Sequence, residues 1–68
     1  MGISLKAARV NKGYSRPQVI ELLESEMGVK IALNTLASYE NRVTQPDVVT
    51  ASALASIYGL SVDDIAWA

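Results

Sequence analysis

The 68-residue chain contains no histidine and no cysteine. Imidazole acid–base chemistry, thiolate nucleophiles, disulfides and zinc sites of the Cys/His type are thereby removed together. The carboxylates are scattered, and the serines (Ser4, Ser15, Ser25, Ser38, Ser52, Ser56, Ser61) have no general base beside them by motif. The four glycines stand singly at positions 2, 13, 28 and 59, so no phosphate-cradling glycine loop exists. The chain is read as a binding protein rather than an enzyme, with no metal and no cofactor. Charge is what remains to do chemistry. The six basic residues (Lys6, Arg9, Lys12, Arg16, Lys30, Arg42) all lie within the first 42 positions, against Glu21, Glu24, Glu26 and Glu40, which makes that segment +2. Beyond it only Asp47, Asp63 and Asp64 are charged, giving −3. An overall charge of −1 and a pI near 5.1 therefore hide a polarity that lets one face meet an anion.

The elements that must position these charges follow from punctuation. Half the residues are apolar, enough for a folded core, and the length fits one domain over residues 1–68. No apolar run approaches the roughly 20 residues of a membrane span, and a cytoplasmic location is expected. A first helix is predicted from Ser4 to Lys12, with Leu5, Ala8 and Arg9 on one face and Gly13 ending it. Ser15 and Gln18 have capping-box spacing, with Pro17 in the first turn of a second helix that runs to Met27 and stops at Gly28. Its apolar face comprises Val19, Ile20, Leu22, Leu23 and Met27. Residues 28–33 alternate apolar and polar through Val29-Lys30-Ile31 and are open to an extended reading. A third helix is predicted from Leu33 to Asn41, burying Leu36 and either Tyr39 or Glu40. A loop over Arg42–Pro46 follows. Asp47 caps a fourth helix whose stripe is Val48, Ala51, Leu54, Ala55 and Tyr58, closed by Gly59. Ser61 is expected to cap a fifth short helix, with Asp63 and Asp64 in its first turn. No strong strand signal is present.

Several residue groups at fixed spacing carry a family likeness. Leu5, Arg9 and Gly13-Tyr14-Ser15 are followed by Tyr39-Glu40-Asn41, with Pro46 six residues after the glutamate. Leu54-Ala55, Tyr58-Gly59-Leu60-Ser61 and Asp63-Asp64-Ile65 continue without a gap. The chain resembles the Xre/Cro-type helix-turn-helix family of phage repressors and bacterial regulators over nearly its whole length. The resemblance implies an all-α, compact five-helix lambda-repressor-like domain. Two departures stand out. The interval from Val19 to Glu40 is about six residues longer than the family spacing, so the segment between helices two and three is expected to be enlarged. Arg42 also occupies a position where the family has glycine, which implies either a left-handed arginine or an altered loop.

By the same resemblance, helix three reads operator DNA in the major groove. Leu33, Asn34, Thr35 and Ser38 then face the bases. Asn34 is suited to bidentate pairing with adenine, while helix capping is its structural alternative. Leu33 suits a thymine methyl. Arg16 is implied as a phosphate contact at the start of helix two, seconded by Lys30 and Arg42. Arg9 and Glu40 are implied as a structural ion pair joining helices one and three. Val49, Ala53, Ile57 and Trp67 form a candidate homodimer face. The expected function is a DNA-binding transcriptional regulator, repressor-like, acting on a double-stranded operator as a homodimer. The alternative is a helix-turn-helix-derived module that binds protein, such as an antitoxin, an anti-repressor partner or a fragment of a larger regulator.

Overall fold

The computed structural model describes residues 2–67. Its elements in chain order are β1 (Ile3–Ser4), α1 (Leu5–Asn11), α2 (Arg16–Met27), α3 (Leu33–Glu40), α4 (Val48–Ile57), a 3-10 turn (Val62–Asp64) and β2 (Ile65–Ala66). Short side-chain caps start three of the four α-helices. Ser4 Oγ accepts from the Ala7 N–H at 3.1 Å, and Asp47 Oδ1 accepts from the Thr50 N–H at 2.8 Å. At α2 the reciprocal box is complete: Ser15 Oγ accepts from the Gln18 N–H, and Gln18 Oε1 accepts from the Ser15 N–H at 2.8 Å. Each cap satisfies an N–H that the first helical turn leaves without a carbonyl.

The core is small and is built from all four α-helices and β2, with Ile3 and Val62 packed against it. Leu5 and Ala8 of α1, Val19 and Leu23 of α2, Leu36 of α3, Ala53, Leu54 and Ala55 of α4, Tyr58 just after it, and Ile65 of β2 form one buried cluster. α2 packs on both α3 and α4, which places it centrally. The connector between α2 and α3 is Gly28 to Ala32, with Gly28 in the left-handed conformation. Val29 and Ile31 pack against the core while Lys30 is exposed, so the alternation in the sequence marks inward and outward residues. The enlarged segment expected between helices two and three is not found: the connector is five residues with no element of its own.

Three further expectations are corrected. Among the described residues there are four α-helices rather than five. The last one reduces to a single 3-10 turn because Ile65 becomes extended, buries its side chain and pairs with Ile3. The pairing is parallel, Ile3 with Ile65 and Ser4 with Ala66, so two chain ends without a strong strand signal meet as a short sheet. Gly2 makes this closeness possible: a Cβ there would lie 2.6 Å from the Ala66 nitrogen and 2.8 Å from the Ile65 carbonyl carbon. Finally, Val48 lies on the angular stripe of Ala51 and Leu54 but is 82 % exposed. Thr50 and Ala51 of the same turn are buried, so on this stripe the exposure is confined to the first residue of the helix, and direction on the stripe does not bury it. Among the described residues no helix is long and apolar enough to cross a membrane.

Candidate nucleic-acid interface

α3 begins without a side-chain cap. Its N-cap residue is Ala32, which offers the first turn no side-chain acceptor, and the Thr35 N–H turns back to the Ala32 carbonyl at 3.1 Å. Asn34 is the second helical residue, not the cap, so the capping role weighed for it is taken by a residue with no side-chain acceptor. Leu33 is 47 % exposed and Asn34 is exposed, while Thr35 and Ser38 are half-buried on the flank. Leu36 faces the other way and is fully buried, which anchors the helix on its inner side.

The only charged residue on α3 is Glu40, and its side chain is 0 % exposed. Two guanidiniums meet it. Arg9 Nε donates to Glu40 Oε2 at 2.7 Å and Arg9 Nη2 to Oε1 at 3.3 Å, while Arg9 Nη1 donates to the Tyr14 carbonyl at 2.9 Å. Arg16 Nε donates to Glu40 Oε1 at 3.0 Å. One buried carboxylate therefore ties the last residue of α3 to α1 and to the first residue of α2. The Tyr58 hydroxyl is also buried and has no hydrogen-bond partner among the described residues. Burial pushes its pKa above the ordinary phenol value, the Glu40 charge adds to that rise, and Arg9 opposes it.

The cations expected to meet phosphate sit around this helix. Lys30 is exposed in the connector before α3, and Arg42 is exposed just after it. Arg42 has φ of 61°, the only positive φ among the described non-glycine residues, so the left-handed arginine is what the chain adopts. Arg16 stands at the N-terminus of α2, but that helix end offers an anion little by itself. Pro17 has no N–H, and the Gln18 N–H is already taken by Ser15. An anion there must be held by the Arg16 side chain. Spacing along the chain carried no signal that Arg16 would share Glu40 with Arg9, nor that Tyr58 would lie beside the pair.

The four residues read as a homodimer face do not come together on one exposed surface. Ala53 is in the core, Ile57 is half-buried against it, and Trp67 packs on it with Nε1 donating to the Val62 carbonyl at 3.0 Å. Only Val49 is exposed, at 67 %. Val49 and Ala53 line a shallow cleft with Met27 and Val29, and Trp67 lines a neighbouring one with Pro46, Val48 and Val62.

A family model described as helix-turn-helix, of the Xre type, matches residues 5–65. No curated protein and no solved structure matches the chain. With the match spanning most of its length, the chain belongs to the Xre-type helix-turn-helix family, a family of DNA-binding regulators.

Proposed function

We propose that this member of the helix-turn-helix family is a sequence-specific, repressor-like transcriptional regulator that reads an operator through α3. The observation that carries this reading is the electrostatic layout of α3. Its single charge is buried and neutralised, its outer N-terminal face is uncharged, and Arg16, Lys30 and Arg42 stand around it. A helix so arranged can enter the major groove without repelling phosphate while its flanks hold both sides of the groove. In this reading Asn34 pairs with adenine N6 and N7, Leu33 meets a thymine methyl, and Thr35 and Ser38 add short polar contacts. The three cations fix register on the backbone. The protein works where its DNA is, in the cytoplasm.

Three phosphate contacts per copy make binding weak, and two copies on two half-sites remedy that. The exposed start of α4, with Val48 and Val49, suits the second copy. α4 itself carries no charged residue, and the one charge beside this patch is the exposed Asp47 that caps the helix. The same apolar surface is what favours the second reading, a module whose main ligand is another protein.

A selection from a randomised duplex pool, followed by titration of the enriched duplex at about 50 and 200 mM salt, separates these readings. Three neutralised phosphates give a slope of about −2.7, hence about a 40-fold loss for one copy and about 2000-fold for a bound pair. An enriched sequence with either loss supports the regulator. Absence of binding at low salt sinks it and leaves the protein-binding module.

A further inference from the structure

We propose that Glu40 is a positioning residue for DNA binding: it holds Arg16 by Nε so that the terminal nitrogens of that arginine are presented to a phosphate. This rests on the DNA-binding reading above and adds a residue that itself touches no DNA. Glu40 cannot reach a ligand, because its side chain is 0 % exposed. Two guanidiniums on one carboxylate leave a local excess of +1, and the excess must appear on whichever arginine reaches solvent.

The hydrogen bonds decide which one that is. Arg9 is 12 % exposed and places Nε and Nη2 on Glu40 and Nη1 on the Tyr14 carbonyl, so all three of its nitrogens are engaged. Arg16 is 33 % exposed and is held through Nε alone. Its Nη1 and Nη2 make no hydrogen bond to the described residues. The guanidinium is planar and rigid, so fixing the Nε–H direction also fixes where the terminal N–H groups point. An arginine restrained in this way loses little further side-chain freedom when a phosphate arrives. Because Glu40 closes α3, the same carboxylate sets the distance between the base-reading helix and this backbone contact. A lysine in place of Arg16 has one charged centre. Its three donors diverge from one atom on a flexible stem, so a bond to Glu40 does not fix a second donor in the direction of a phosphate.

The test uses the full chain and a mixed-sequence duplex of about 30 base pairs at low salt, where phosphate contacts dominate. Anisotropy titrations compare the wild type with Arg16→Ala, Arg16→Lys, Glu40→Gln and the Arg16→Ala/Glu40→Gln double variant, each run below its melting temperature. Arg16→Ala is expected to weaken binding about tenfold, the scale of one charge-assisted hydrogen bond, and to lower the salt slope by about 0.9 per copy. Arg16→Lys should lose nearly as much. Glu40→Gln should weaken binding alone, yet cost nothing more in the Arg16→Ala background. If Glu40→Gln does not fold, the lysine variant carries the decision. Wild-type affinity in Arg16→Lys shows that charge alone suffices and overturns the proposal. So does a Glu40→Gln loss that is undiminished in the double variant, since that loss comes from the fold. A wild type that binds while Arg16→Ala changes nothing overturns this inference alone; a wild type that binds no duplex overturns it together with the DNA-binding reading.

Discussion

Replacing Arg42 by glycine should make the protein more stable and a weaker DNA binder at once. α3 ends in a tight cap in which the Val43 N–H meets the Ser38 carbonyl at 2.9 Å and the Arg42 N–H meets the Tyr39 carbonyl at 3.2 Å. The same two bonds recur after α1 and α4, around Gly13 and Gly59, with φ of 74° and 70°. Only at α3 does a side-chain-bearing residue occupy the left-handed position, at φ 61°. That conformation costs an L-residue about 1–2 kcal/mol, of which glycine returns about 0.5–1 kcal/mol through its freer unfolded chain. The net gain is about 0.5–1 kcal/mol, or a rise in Tm of about 2–8 °C for a domain of this size. The exposed guanidinium is lost in the same step, and the salt slope of duplex binding should fall by about 0.9 per copy. Arg42→Ala is the control, because it keeps the Cβ in the strained position while removing the charge. Thermal melts by circular dichroism and duplex titrations on all three proteins decide the matter. A Tm for Arg42→Gly at or below that of the wild type refutes the strain argument. An equal rise in Arg42→Ala refutes it differently, by assigning the gain to relieved charge repulsion.

Two further outcomes follow from the caps and the chain ends. Gly2→Ala should part β1 from β2, since its Cβ would collide with backbone rather than with a movable side chain. A loss of about 1–3 kcal/mol and a red shift in the emission of Trp67, the sole tryptophan, are expected; unchanged melting and emission would remove the clash from consideration. At Asp47, hydrogen bonding from Thr50, its side chain first and its backbone N–H next, holds the carboxyl below its ordinary value of 3.8. A depressed folded pKa stabilises fully above 3.8 and is lost as pH falls through the lower folded value. The Tm advantage of the wild type over Asp47→Asn should therefore be present near pH 6 and shrink as pH falls below 3.8, and a gap that is constant with pH would contradict the linkage.

The starts of α2 and α4 were legible because each is decided within three residues. Ser15 with Gln18, and Asp47, each cap a backbone N–H three positions ahead, and sequence spacing reports that directly; Ser4, read as the first helical residue, is instead the cap of α1. The fifth helix failed under the same signals. Ser61 and Asp64 do form a box, but whether a turn continues as α-helix was settled by Ile65 pairing with Ile3 at the opposite end of the chain. Val48 failed for a related reason, since periodicity gives a residue's direction and not whether anything stands there to cover it.

The candidate site divides along the same line. The resemblance pointed to Leu33 and Asn34 on α3 and to Arg9 with Glu40, and the structure puts the first two on an open face and the second two in contact. It treated Arg16 as a separate surface charge, twenty-four positions from the carboxylate that holds it. A carboxylate shared between two arginines has no local pattern, because three helices must pack before the three side chains can meet. That packing has a mechanical consequence. A shift of α3 moves Glu40, the anchor of Arg16, so the proposed base-reading face and the proposed phosphate contact are coupled through one carboxylate. Substitutions that tilt α3 should therefore disturb both backbone contact and base readout, even where they touch neither Arg16 nor Asn34.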